Sequence, residues 1–380
     1  MKLAKVNDPS SRSERQHYGA SSPPIYQTAT FAGVPGEEGP YDYSRSGNPS
    51  RNAVEDAYAK LESARHALAF GSGMAAIRAI LDTVPIGGRV VAATQLYGGT
   101  ARLLGHRAER GEFDLTLVDA TRPEEVKAAL GKKAHLLFLE SPSNPGLGIL
   151  ELRTLSEIGR KAGALVVVDG SLLPPPYQRP LDLGADVVIH SATKFLAGHA
   201  DLTAGVVATQ DDAIAEKLAF IRNAEGTALA PFESWLLQRG METLKIRFAQ
   251  QSQTALKLAV WLRNRDELKS IHFPGLPDDP GHEIQAAQSG SFGSVFSLEL
   301  RDDLSPIGFL KALQVFRSTV SFGSIKSSAS LPCQMSHASV PPALADRMAP
   351  PAGLLRISVG IEEFDDLVED LERALESLVA

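Results

Sequence analysis

Lys194 has an unusual setting. It closes Ser191-Ala192-Thr193-Lys194, at the end of the apolar, β-branched run Ala185-Asp186-Val187-Val188-Ile189-His190. A short run of this kind reads as a buried strand. Lysine is seldom carried to such a place unless its charge is paired or its amine is used. Ser191 and Thr193 are spaced to turn two hydroxyls toward one anion, with the Lys194 amine beside it. That chemistry suits a phosphate-bearing aldehyde cofactor joined to the amine as a Schiff base. The competing reading is an exposed loop lysine beside two turn-forming hydroxyls. Four residues match by chance too often to decide between the two.

A lysine used in this way needs strands to hold it and a cradle for the anion. Ala67-Leu68-Ala69-Phe70, then Gly71-Ser72-Gly73-Met74, then a helical run over 75–81 supply such a cradle. Strand, glycine-rich turn and helix present backbone N–H groups to a phosphate. Further apolar runs at 89–93, 114–118, 135–139 and 165–168 alternate with helical segments. The pattern predicts a parallel sheet covered on both faces, with ligands at the carboxyl ends of its strands. Those ends carry Gln95-Leu96-Tyr97-Gly98-Gly99, Glu140-Ser141-Pro142-Ser143-Asn144-Pro145, Asp169 and Lys194.

Residues 1–46 are polar and rich in Ser, Pro and Gly, and read as an arm that is disordered or packed on a partner subunit. Residues 47–245 form the large domain, and 246–380 a smaller α+β domain. In the latter a helix is expected over 250–268, strands at 293–300 and 354–359, and an acidic amphipathic helix over 362–378.

The chain has 380 residues, 43% hydrophobic and 22% charged, as in ordinary globular proteins. Its net charge of −7 offers no basic footprint for nucleic acid or an anionic membrane. No apolar run approaches the ~20 residues that span a bilayer. Residues 1–16 lack an apolar secretory core, so a cytoplasmic location is the default. Cys333 is the only cysteine, which excludes an internal disulfide and a cysteine metal cluster.

The motifs occur in a set order: YSRSGNPSRN at 43–52, SGM at 72–74, YGGT at 97–100, ESPSNP at 140–145, Asp169, SATK at 191–194, GH at 198–199 and LLRISVGIE at 354–362. From about residue 24 onward the chain thereby resembles the Cys/Met-metabolism family of pyridoxal-phosphate enzymes, above all its cystathionine and methionine γ-lyases. The resemblance implies fold type I, the aspartate-aminotransferase-like fold, with a mostly parallel seven-stranded sheet and a smaller α+β domain. It implies pyridoxal 5'-phosphate as cofactor and a homotetramer of two catalytic dimers.

It also implies roles. Lys194 is the Schiff-base lysine and the general base on the substrate Cα proton. Asp169 pairs with the pyridine nitrogen, although a strand-end helix cap would place an aspartate there too. Tyr97 stacks on the pyridine face. Gly73 and Met74 give backbone N–H groups, and Ser191 and Thr193 hydroxyls, to the phosphate. Tyr43 and Arg45 reach that phosphate from a neighbouring subunit. Arg356 clamps the substrate α-carboxylate, Asn144 lies near it and the cofactor's 3-oxygen, and Ser321 meets the same carboxylate. His190, His199 and His337 have no metal-ligand spacing and read as structural.

The chain departs from the family pattern in places. Gly170-Ser171-Leu172 stands where the family has Asn-Thr-Phe, which is expected to loosen or reshape the pocket. Val320 replaces the glutamate of cystathionine γ-lyases, and Gly99 the cysteine of methionine γ-lyases. Lys326 stands where the lyases commonly have an acid, and is expected to favour an anionic distal group on the substrate. The implied reaction is α,γ-elimination from cystathionine or a related sulfur amino acid, giving a keto acid, ammonia and a thiol. The alternatives are γ-replacement, as in cystathionine γ-synthase or a homoserine-ester sulfhydrylase, and a non-catalytic protein that keeps the fold.

Overall fold

The computed structural model describes residues 20–33, 36, 39–131 and 134–379. The first nineteen residues of the expected N-terminal arm lie outside the described residues. Seven strands form the larger sheet: β1 (His66–Phe70), β2 (Gly88–Ala93), β3 (Phe113–Val118), β4 (Leu136–Glu140), β5 (Leu165–Asp169), β6 (Val187–Ser191) and β7 (Gly205–Thr209). Their spatial order is β1-β7-β6-β5-β4-β2-β3. Only β7 runs against its neighbours, pairing antiparallel with both β1 and β6.

Leu136 to Glu140 are buried without alternation, as a central parallel strand covered on both faces requires. Because β4, β5 and β6 are parallel and in register, their polar ends line one edge. Glu140 pairs with Asp169, and Asp169 with Ile189. β1 ends at the same edge, where Phe70 faces Gly205 of β7. The strand β7 was not anticipated, although Val206-Val207-Ala208 is an apolar run. Gly205 is needed there, since a Cβ on it would lie 2.3 Å from the Ser72 carbonyl oxygen.

The smaller sheet has the order β10-β11-β12-β9-β8. Its members are β8 (Leu268–His272), β9 (Val295–Leu300), β10 (Arg317–Ser318), β11 (Ser328–Ser330) and β12 (Leu354–Ser358). The expected helix over 250–268 is displaced. It spans Leu244–Leu262, and β8 begins where it was expected to end. Burial on β8 does not alternate cleanly, so the sequence carries little period-two signal there. The C-terminal helix, Phe364–Glu376, packs Leu367, Leu371 and Leu375 onto the smaller sheet's core. Among the described residues no helix is long and apolar enough to cross a membrane.

Candidate active site

A cavity of about 380 Å³ opens at the carboxyl edge of the larger sheet. Gly73, Met74, Tyr97, Asn144, Asp169, Ser191, Thr193, Lys194, Ser321 and Arg356 all line it. Tyr43 and Arg45 do not. Both are exposed; Arg45 lies over the Tyr43 ring at 5.3 Å, and its Nε donates to Asn223 Oδ1 at 3.2 Å.

One end of the cavity is built for an anion. The helix Gly73–Leu81 starts there, capped by Ser72. Ser72 Oγ takes the Ala75 N–H at 3.1 Å and its carbonyl takes that of Ala76 at 3.1 Å. The N–H groups of Gly73 and Met74 precede the first intrahelical bond and stay available. A Cβ on Gly73 would sit 3.0 Å from Ser191 Cβ and 3.1 Å from its Oγ, so glycine is what lets the helix start pack against Ser191. Thr193 differs from Ser191: its hydroxyl is engaged by the backbone of Ala204, whose N–H donates to it at 3.0 Å.

Asp169 lies deeper in the same wall. Burial pushes its carboxyl up, while hydrogen bonds from Ser171 and the charges of His190 and Lys194 pull it back. Ser171 Oγ donates to Asp169 Oδ1 at 2.6 Å and accepts the Ser191 N–H at 2.7 Å. The atypical segment therefore does not leave Asp169 loose, because a hydroxyl bridges it to the neighbouring strand. Gly170 makes room for His190, whose ring would lie 2.8 Å from a Cβ at that position. His190 in turn pairs with the buried Glu62 at 3.0 Å, on the sheet face opposite the cavity.

Lys194, Ser321, Asn144 and Arg356 form one hydrogen-bonded group. Lys194 Nζ donates to Ser321 Oγ at 2.5 Å. Arg356 Nη2 donates to the Ser321 carbonyl at 2.6 Å, and Nη1 to Asn144 Oδ1 at 2.8 Å. Ser321 holds a backbone φ of +83°, which side-chain-bearing residues rarely adopt. The Arg356 Nε is buried and has no hydrogen-bond partner among the described residues. Phe322 presents its ring to both cations, 4.9 Å from Lys194 Nζ and 5.1 Å from Arg356 Cζ. Burial pushes the Lys194 amine down to about 8; Arg356 pushes the same way and Asp169 opposes it.

Phe322 and Arg102 are not singled out in the sequence, Ser171 and Glu140 are noted there only within motifs, and His337 reads there as structural. Arg102 lies at the cavity mouth and donates to Ser339 Oγ at 3.0 Å. Lys326 is exposed and does not line the cavity, whereas Arg102 does. Nothing short-range in the sequence marks Phe322 or Arg102, since both are brought in by long-range packing. Val320 lines the cavity. Gly99 lies beneath the Tyr97 ring, where a Cβ would come within 2.4 Å of it.

An anion cradle, a buried lysine, a buried strand-end aspartate and a tyrosine ring around one cavity fit pyridoxal phosphate, and the fold is that of a fold type I enzyme. The model of the Cys/Met metabolism PLP-dependent enzymes matches residues 6–376, and the chain belongs to that family. It is 44% identical over 361 residues to a chloroplastic cystathionine β-lyase of Arabidopsis thaliana, covering 95% of this chain and 78% of the plant protein. It superposes with a TM-score of 0.94 and 37% identity on a cystathionine γ-lyase of Lactobacillus plantarum solved with L-serine, over 96% of each chain. A cystathionine γ-synthase of Xanthomonas oryzae pv. oryzae, solved with cystathionine, superposes at 0.93 and 37% identity over 95% of this chain and 94% of that one.

Proposed function

We propose that the protein is a pyridoxal-phosphate lyase that cleaves the carbon–sulfur bond of cystathionine on the γ side. The observation that carries this is the group Lys194–Ser321–Arg356–Asn144, which sets a proton carrier beside a carboxylate clamp in one cavity wall. When bound, pyridoxal phosphate draws electrons from the substrate's α-carbon and so loosens its proton. Arg356 grips the α-carboxylate with its guanidinium, which lines the cavity. Asn144 sets the guanidinium plane. Lys194, with its amine pushed down to about 8, takes the Cα proton and releases it further along the substrate. Asp169, with Oδ1 held by Ser171, would pair with the ring nitrogen. Gly73, Met74, Ser191 and Thr193 would hold the phosphate and Tyr97 would cover the ring, since all five line the cavity.

On the γ side, cystathionine and water give cysteine, 2-oxobutanoate and ammonia. A second reading, β-side cleavage to homocysteine, pyruvate and ammonia, is favoured by the 44% identity to a β-lyase. Product analysis after incubation with cystathionine alone tests both. 2-Oxobutanoate with cysteine supports the first, and pyruvate with homocysteine the second. Product only when a homoserine ester is paired with cysteine or sulfide would replace both with γ-replacement.

Arg102 faces the distal end of such a substrate. Arg102→Ala is expected to raise KM for cystathionine about two- to fivefold, the scale of an exposed ion pair. KM for methionine, which lacks a distal charge, should not move. An equal change for both substrates would remove Arg102 from specificity.

Capture of pyridoxal phosphate by the apo-protein needs the neutral Lys194 amine. Its rate is expected to rise with pH and level off above about 8. Arg356→Leu removes a repulsion, so the midpoint moves up. Asp169→Asn removes an attraction, so it moves down. Absorbance-monitored uptake across pH checks both signs, and identical midpoints in all three proteins would refute this electrostatic account.

Tyr43 and Arg45 belong, in this proposal, to the site of a second copy, within a homotetramer of two catalytic dimers. An Arg45→Ala chain and a Lys194→Ala chain, each inactive alone, should regain activity when assembled together. Random pairing leaves one complete site in half of the dimers, about a quarter of wild-type activity. No activity above that of the parent variants would return Arg45 to its own chain.

A further inference from the structure

Two buried residues outside the roles above bond to the backbone at the same two places, beside Tyr97 and at Asn144. Glu140 ends β4, and His337 follows the short turn Pro332–Gln334 in the chain of the smaller sheet. Both are almost fully buried. Glu140 Oε2 accepts the Tyr97 N–H at 2.8 Å, and Oε1 accepts the Asn144 N–H at 3.0 Å. His337 Nε2 lies 3.3 Å from the Leu96 carbonyl oxygen and 3.1 Å from that of Asn144. The Leu96–Tyr97 peptide is therefore held at its N–H end by the carboxylate and at its C=O end by the imidazole. Asn144 is held in the same way.

The chemistry of the ring follows from its partners. A nitrogen facing two carbonyl oxygens carries the proton. Nε2 is thus the donor, and Nδ1 accepts from Ser336 Oγ at 3.0 Å. Burial, with the nearby Arg356 charge, pushes the imidazole down to about 4, so it stays neutral through the working range. The His337 ring also meets the Tyr97 ring edge-on, with centroids 6.2 Å apart. Gly98 lets this strap pass: a Cβ there would lie 2.7 Å from the Ser336 carbonyl oxygen and 2.9 Å from His337 Cα.

We infer that Glu140 and His337 are positioning residues that clamp Tyr97 and Asn144 from opposite sides, so that the seat of the cofactor ring depends on a strap from the smaller sheet's chain. The inference rests on the cofactor-binding roles proposed above for Tyr97 and Asn144. A merely structural histidine would be replaceable by any ring of similar size. A clamp needs the donor.

Two substitutions separate these ideas. His337→Phe keeps a ring against Tyr97 but has no donor. His337→Gln gives up the ring but places an amide Nε2 donor at similar reach. The measurements are the dissociation constant of pyridoxal phosphate from each apo-protein, the apo-protein melting temperature, and kcat and KM with cystathionine. His337→Phe leaves two buried carbonyls unpaired and is expected to weaken cofactor binding at least about tenfold and to lower kcat more than it raises KM. His337→Gln should bind within about threefold of wild type. Glu140→Gln, which turns an N–H donor toward one of the two backbone N–H groups, should weaken binding about tenfold as well.

Cofactor binding by His337→Phe within threefold of wild type would overturn the clamp. So would His337→Gln binding as poorly as His337→Phe. If the Phe variant does not fold, as its melting curve would show, the Gln variant decides alone by the same threefold criterion. Wild-type protein that takes up no pyridoxal phosphate would overturn the cofactor roles themselves. Normal uptake with unaffected variants would overturn only the clamp.

Discussion

Lys194→Ala is expected to lower kcat for cystathionine by roughly 10⁴-fold, while the protein keeps its fold. The size follows from losing the proton carrier, a role that by itself contributes up to about 10⁴-fold. The retained fold follows from the lysine's surroundings. Its amine is buried, its charge is opposed by Arg356, and it hydrogen-bonds to Ser321. Removing a buried, repelled cation costs little, so the melting temperature of the apo-protein should stay level or rise. The visible absorbance of lysine-linked cofactor should disappear, although pyridoxal phosphate still binds through the Gly73–Met74 cradle. A small primary amine added to the assay should restore part of the activity, because it supplies the missing base. Activity within tenfold of wild type would sink the assignment of Lys194. A collapsed melting temperature would instead show that its main role is structural.

The second large effect belongs to Arg356. Arg356→Lys keeps the charge but loses the planar fork that reaches Asn144 Oδ1, the Ser321 carbonyl and the cavity at once. A compact ammonium cannot make those contacts together. We expect kcat/KM for cystathionine to fall about 10²–10³-fold, mostly through KM, the scale seen when one partner of a buried charged pair is truncated. Cofactor affinity should change much less, because the phosphate cradle does not involve Arg356. The measurement is steady-state kinetics together with a cofactor titration. A fall under tenfold in kcat/KM would remove the carboxylate clamp, and an equal loss in cofactor affinity would mean that Arg356 holds the cofactor instead.

The features legible in the sequence are the local ones. The strand before Ser191 and the glycine-rich turn at 71–74 need only a few neighbouring residues to express themselves. The same holds for the near-continuous apolar strands that announced a covered parallel sheet. What misled was also local. The helical pattern over 250–268 ran on into β8, where burial does not alternate, and the antiparallel β7 was passed over although it is as long and as buried as β4. The replaced Asn-Thr-Phe suggested a loosened site, because the sequence cannot show that Ser171 Oγ spans from Asp169 to the next strand.

By its sequence alone, this chain determined which polar groups stand at the ends of its strands, the sheet edge at which they lie, and its family. Those depend on residue type and short spacing. Tertiary structure decided which groups meet. Lys194 reaches Ser321 across 127 residues, and Arg356 reaches Asn144 across 212. It also turned Arg102 rather than Lys326 to the cavity, and brought His337 to the backbone of Tyr97 and Asn144. The physical reason is that such contacts are set by strand register and by how the smaller sheet's chain seats on the larger one. Neither is written in the period or spacing of any single segment.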